Sequence, residues 1–339
     1  TENKAVFING IRLNDMETGR AIWATWGGLN DITRFMDVQT GIVPSREAFT
    51  GLLGYSSINA RASNMRAGTR VSYAGTNRAY RHRFMVTHAT GKREDGWSFA
   101  ASASRRYAEE GYVEGTFFDA WAYYLAAEKE INKNHTISAL VFGAPIVQGR
   151  QGMAVQEAMD LAGTNFYNPD WGFQNGRKRN SRVSNFHKPT AIINHYFKIN
   201  NTTDLKTGVY TQGGRGGVTR LNWFEAADPR PTFFRFLPSW QEDGSPEQAA
   251  LIHAWQTDVN QRQIRWDDFF HANRKNLFTV ENAGGIPGND ITGMRSKYIL
   301  EEQRQDHIQT GGNIVLEKRF TPKTIFNAGY NFSVYKGFN

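Results

Sequence analysis

The chain has no cysteine among its 339 residues. Disulfide frameworks, thiolate metal sites and cysteine nucleophiles are therefore excluded. It has no apolar run of about eighteen residues or more, so no segment reads as a membrane-spanning helix. It also lacks a Gly-x-Ser-x-Gly elbow, a His-Glu-x-x-His pair, a phosphate loop and a dinucleotide fingerprint. The glycines of GGRGGVTR (213–220) have the wrong spacing for a phosphate cradle and read as a flexible strand end. His82 and His88 share one face of a strand and read as polar surface rather than as a metal pair. Asp267 and Asp268, beside Trp266, have the form of a carboxylate pair for acid–base work, but read more simply as a solvated helix end. No catalytic residue, metal ligand or cofactor is expected, and the chain reads as a non-enzyme. The net charge of +8 is scattered, with one cluster at 176–180 and no recognition helix or aromatic RNA-binding motif, so no nucleic-acid partner is expected.

What is present is alternation. WSFAASASRRY (97–107) places Trp97, Phe99, Ala101, Ala103 and Tyr107 on one side of a strand. Ser98, Ser102, Ser104 and Arg106 fall on the other. A soluble sheet turns the apolar face inward, whereas a membrane barrel turns it outward against lipid and keeps the polar face inside. Similar segments recur at 70–74, 80–90, 121–128, 136–146, 190–199, 205–212, 314–320 and 326–334, about nine strands in all. Their connections alternate in length. Those at 91–96, 132–135, 200–204 and 321–323 are short, and those at 108–117, 147–189 and 213–293 are long. Membrane barrels segregate short turns to one rim and long loops to the other, which favours the lipid-facing reading. The aromatic share of 13 % suits interfacial girdles. Two helices are expected inside the long loops. One lies near 153–161, stopped by Gly163. The other follows Ser245 as N-cap, with Pro246 first and Gln248 completing a capping box, and carries Leu251, Trp255 and Val259 on one face.

Residues 1–66 read differently, as short strands in a small mixed unit. VFINGIRLND (6–15) and LNDITRFMDVQTGIVPSREAFTGLLGYSSINARA (29–62) resemble the closing half of the plug of TonB-dependent outer-membrane receptors of the Bacteroidetes type. The run TRVSYAGTNRAYRHRFMVTHATGKREDGWSFAASASRRYAEEGYVEGTFF (69–118) is similar to the first strands of their barrel. The resemblance implies an all-β fold: a transmembrane antiparallel β-barrel portion, about nine strands of a larger barrel of roughly twenty-two, preceded by a small mixed α/β plug remnant. The plug part is expected at 1–66 and the barrel at 67–339. The first residue, Thr1, and the ending Gly337-Phe338-Asn339 are read as those of a fragment, about the first third to half of such a receptor. The Asp-Ala-Ser and Arg-Gly-Ala-Asn-Gly patterns of glycan-importing members are absent.

The resemblance implies a bacterial outer-membrane location and ligand import by TonB-driven plug remodelling. The implied partners are the TonB-ExbB-ExbD energising complex, outer-membrane lipid, a surface lipoprotein lid, and a small-molecule, peptide or glycan ligand. Trp171, Trp223, Trp240 and Trp255, with Arg215, Arg220 and Arg235, are the candidate ligand-binding residues of the long loops, because aromatics and arginine offer contact area and forked donors. Arg81, Arg83 and Arg106 share the inward face with Glu128 and Glu130. These wall charges are candidates for polar contacts to Arg12, Asp15, Glu17 and Arg20 of the first unit. An outer-membrane binding or adhesion barrel without active transport, and a soluble all-β hydrolase, stay open as alternatives.

Overall fold

The computed structural model describes residues 4–43, 45 and 51–338. Residues 44 and 46–50 of the plug-like segment, and the final Asn339, lie outside the described residues.

The first unit is a four-stranded sheet of β1 (Ala5–Ile8), β2 (Ile11–Arg12), β3 (Met36–Gln39) and β4 (Tyr55–Ile58), in the order β2-β1-β4-β3. β1 and β2 form a hairpin whose turn residues, Asn9 and Gly10, both have positive φ, the conformation that an Asn-Gly pair supplies most easily. β1 pairs in parallel with β4. The buried Asn14 fixes the edge. Its Oδ1 accepts from the Val6 amide and its Nδ2 donates to the carbonyls of Lys4 and Gly19. The sheet is mixed, as expected, but among the described residues it carries only 3-10 turns at Trp23–Trp26 and Ala62–Asn64, not an α-helix. Gly27 and Gly28 end the first of these turns before a helix can propagate.

The remaining chain builds one antiparallel wall. Its strands are β5 (Gly68–Gly75), β6 (His82–Ala89), β7 (Trp97–Ala108), β8 (Phe117–Asn132), β9 (His135–Gly143), β10 (Ile146–Gly149), β13 (Val183–His187), β14 (Thr190–Asn200), β15 (Thr203–Trp223), β18 (Tyr298–Arg304), β19 (Asp306–Thr321) and β20 (Thr324–Phe338). Three pairs are single wall positions broken by a bend. β9 and β10 break at Ala144-Pro145, β13 and β14 at Lys188-Pro189, and β18 and β19 at Gln305. Proline cannot donate to a ladder, so it belongs at such breaks. β15 crosses the same level unbroken through Gly213-Gly214. Gly214 has φ +155, and a Cβ there would collide with the His187 carbonyl at 2.1 Å. Nine wall positions result, with β5 and β20 at the edges.

β15 runs to Trp223, well past the end expected at residue 212, because β13 and β18 pair with its upper half and override its glycine content. The long connections are correspondingly shorter than the sequence suggests, at 150–182 and 224–297. They hold α1 (Gln156–Ala162), the hairpin β11 (Trp171–Gln174) with β12 (Arg177–Asn180), α2 (Pro246–Thr257), α3 (Trp266–Lys275) and the hairpin β16 (Leu277–Val280) with β17 (Ile291–Met294). Gly163 ends α1 in a left-handed conformation. At α2 the Ser245 Oγ accepts from the Gln248 amide, while the Gln248 side chain takes the Gly244 amide rather than that of the cap itself. Turns at 90–96, 133–134, 201–202 and 322–323 occupy the rim opposite these loops.

The wall is apolar outside, while its inner face mixes polar residues with an apolar patch where the first unit docks. On its uncovered face Val71 is 74 % exposed, Leu125 56 % and Val209 50 %. On its covered face Ser102 is 5 % exposed and Asn194 4 %. The first unit lies against that covered face. Val6, Ile8, Ile11, Leu13, Trp26 and Leu29 share one core with Ala100, Ala122, Tyr124, Leu140, Phe142 and Ile192 of the wall. The alanines leave room for the incoming larger side chains, each contributing roughly 1.5–3 kcal/mol by burial. β7 has twelve residues. At about 3.4 Å rise and ~40° tilt such a strand spans about 30 Å, the thickness of a hydrocarbon layer. Trp97 and Phe99 mark one end of its outer face and Tyr107 the other.

Candidate functional site

Two regions gather polar chemistry: the interface between the first unit and the wall, and the rim that carries the long loops.

At the interface the wall reaches chiefly for backbone carbonyls. Asn194 donates to the Asn9 carbonyl at 3.1 Å and Asn313 to the Gly10 carbonyl at 2.6 Å. Gly208 stands between them, and a Cβ there would meet both asparagines and Ile11 at 2.6–2.9 Å. Ser104 donates to the Gly28 carbonyl, Tyr124 to that of Ala60, and Gln309 to that of Asn14. Among the described residues two arginine–carboxylate bridges cross: Arg61 to Glu128, with two parallel hydrogen bonds at 2.7 and 2.8 Å, and Arg70 of β5 to Asp31 at 3.1 Å. Further along, Tyr335 donates to Glu17 at 2.8 Å, and the buried His307 lies 3.7 Å from Asp15 and 3.1 Å from the Lys188 ammonium.

Of the interface charges named from the sequence, Glu128 crosses to the first unit, and its partner is Arg61 rather than Arg12 or Arg20. Glu130 instead pairs within the wall with Lys92 at 2.6 Å. Arg83 and Arg106 face inward, directly opposite each other. No ion pair of Arg12, Arg81, Arg83 or Arg106 is found among the described residues. The sequence does not single out the buried asparagines and glutamines of β14, β15 and β19. Their signal was a polar residue recurring at every second position opposite an apolar face.

At the rim the two long loops hold each other. Ala158 of α1, Tyr167, Leu237 and Trp255 of α2 form one core. Ile264, Trp266 and Phe269 form a second, against Leu221 and Tyr298. Trp255 is fully buried and donates to the Phe236 carbonyl. Trp171 is equally buried, beneath the Lys178 ammonium at 4.8 Å, and its carbonyl accepts from the Ile264 amide. These two tryptophans pack the loops and present no ring to solvent. Trp240 is exposed beside Phe234, with the Arg235 guanidinium 5.9 Å from its ring. Arg215, Arg220 and Trp223 stand on β15 rather than in a loop.

Arg220 and Trp223 do meet. They line a cavity of about 560 Å³ along the end of β15, with Asp170, Ser181, Arg182, Asn222, Arg230 and Gln303. Arg220 and Asn222 both hold Glu301. Arg230 is fixed by three hydrogen bonds from its guanidinium to the Asp228 carboxylate and lies 5.2 Å from the Trp223 ring. Burial pushes the Asp170 carboxyl above the usual range, with Arg182 and Arg230 pulling it back. The cavity thus offers three arginines, an indole and amide groups, a set suited to an anionic or aromatic ligand. At the loop base, Lys178 binds Glu110 at 2.7 Å and Glu114 at 2.9 Å. Burial disfavours the Glu110 carboxylate, but the hydrogen bonds from Lys178 and the Gly115 amide outweigh it and hold it below its usual range. The sequence pairs considered for chemistry are dispersed. Asp268 pairs with Arg265 on the exposed face of α3, while His82 bonds Tyr73 and His88 bonds Thr69.

No family model and no curated protein matches the sequence. The fold does have solved relatives. The ferric-catecholate import receptor Fiu from E. coli K12, in its closed form, superposes on 99 % of this chain and 40 % of that chain, with a TM-score of 0.57 and 9 % identity. Its open form gives 0.55 and 10 % identity over 99 % and 43 %. The chain therefore spans about two fifths of the receptors it resembles. At this identity the likeness is one of fold: all-β, the antiparallel wall of a barrel, as read from the alternating segments.

Proposed function

We propose that the chain is part of a TonB-dependent outer-membrane receptor. Residues 1–66 are then the closing part of the plug, and 67–339 are the first strands of the barrel. The observation that carries this reading is the inverted polarity of the wall. Its uncovered face is apolar and its covered face holds serine, asparagine and glutamine against the first unit. Monomeric soluble proteins rarely leave so large an apolar surface open. The exposed edges of β5 and β20 need partner strands in lipid, which a larger barrel supplies. The import receptor with the same fold supports the transport role.

In this reading the loop cavity and the inner wall capture the ligand. The TonB-ExbB-ExbD complex then loosens the plug by force, breaking contacts such as Arg61–Glu128. The test has two parts. The full-length protein is fractionated from its envelope and run unheated and heated. Recovery in the outer membrane with a heat-dependent mobility shift supports the barrel, and recovery in the soluble fraction overturns it. Uptake of the bound ligand with and without proton motive force then separates a transporter from a binding or adhesion barrel.

A further inference from the structure

Arg83 of β6 and Arg106 of β7 are directly opposite in the register of the inner wall. Like charges so placed repel. The Nε of each is buried without a hydrogen-bond partner, and neither side chain has an acidic partner among the described residues. The other neighbours of Arg106 are neutral. Ala120 faces Arg106 across β8, and its guanidinium lies 5.3 Å from the Phe118 ring and 5.9 Å from the Tyr80 ring. On the remaining side it rests against the first unit, where a Cβ on Gly27 would lie 3.0 Å from Nη2 and one on Gly28 3.1 Å from Nε. Ser104, bonded to the Gly28 carbonyl at 2.8 Å, fixes that approach. At Arg61, by contrast, the buried Glu128 matches the charge. A pair of facing arginines, each with a buried Nε–H that lacks an acceptor, costs stability unless something accepts from them.

We propose that Arg83 and Arg106 form an oxyanion-binding site on the inner wall beside Gly27-Gly28, which takes a carboxylate or phosphate group of the ligand that the receptor carries. Forked donors from two strands match the oxygens of such a group, and Tyr80 and Phe118 give it a dry flank. The site lies at the end of β7 nearest the loop rim, so a ligand leaving the loop cavity meets it at the edge of the first unit. The inference rests on the receptor reading only for the ligand's route, and direct binding tests it apart from uptake.

The experiment is calorimetric titration of the purified full-length protein with inorganic phosphate and, separately, with citrate. R83Q, R106Q and, as a rim control, R78Q are compared with the parent. Saturable binding in the parent and R78Q, weakened about tenfold or more in R83Q and R106Q, is expected. Thermal unfolding in anion-free buffer is measured alongside. Removal of either charge is expected to raise the midpoint, since it relieves repulsion, whereas a merely structural arginine would lower it. Unchanged affinity in both variants, equal loss in R78Q, or a lowered midpoint overturns the assignment. Preference for phosphate over citrate or the reverse then names the group.

Discussion

Asn194 and Asn313 flank Gly208 in one row of the wall and donate to consecutive carbonyls, those of Asn9 and Gly10, at the tip of a single turn. The Asn-Gly turn is thus gripped by its backbone, and the grip depends on the missing side chain between the two amides. G208V is expected to push the turn off the wall, because its Cβ alone would meet Asn194, Ile11 and Asn313 at 2.6–2.9 Å. N194A and N313A should each cost about 1–2 kcal/mol, by leaving a buried carbonyl unpaired. Denaturant unfolding gives the energies. Limited proteolysis of the first 66 residues reports release of the unit. Resistance equal to the parent in G208V would count against the grip.

Alternation made the wall legible. Trp97 and Phe99 outward and Ser98 and Ser102 inward stand as the period of two requires, and the capping residues of α2 lie where Ser245, Pro246 and Gln248 put them. What escaped the sequence depended on distant partners. GGRGG reads as a flexible end, and its neighbours β13, β18 and β19 make it strand. Trp171 and Trp255 look like binding aromatics until the loops close over them. Arg61 gives no local sign of Glu128, because the pairing is made by docking between two segments far apart in the chain.

The outer face gives a sharp test of its surroundings. Leu125 is 56 % exposed in the middle of β8. If lipid covers it, L125R should cost about 2–4 kcal/mol on folding into bilayers. On a water-facing surface the same change stays within about 0.5 kcal/mol. Equilibrium folding into vesicles distinguishes the two. An energetically silent L125R would argue for a soluble protein whose apolar faces meet elsewhere.

Arg61 and Glu128 are a test of how the first unit is held. Glu128 is nearly fully buried, and Arg61 also stacks 4.2 Å from the Tyr196 ring. Removing one partner strands the other charge, so R61M or E128L alone should each cost about 3–5 kcal/mol. The double variant R61M/E128L should cost much less than the sum, because no charge is left behind. A double-mutant cycle by denaturant unfolding measures the coupling. Additive costs would show that the two groups act separately and that the shared core and the other polar contacts hold the interface.

Closure of the loop rim should depend on acid. Lys178 ties Glu110 and Glu114 of the 109–116 connection to the β11–β12 hairpin, above the buried Trp171. The folded pKa of Glu110 lies below its ordinary value of 4.5. Its contribution is therefore fully present above that value and lost as pH falls through the lower, folded one. Asp170 has the opposite sign, since burial raises its pKa, and its contribution is lost as pH rises through that raised value. Loosening of the hairpin on acidification should appear as a change in Trp171 emission and as cleavage within 150–182. E110Q should remove the acid-dependent part of both signals while leaving D170N-sensitive behaviour intact. If E110Q keeps the parent's acid profile, the Lys178 bridge does not hold the loops together, and the two loop cores close the rim without it.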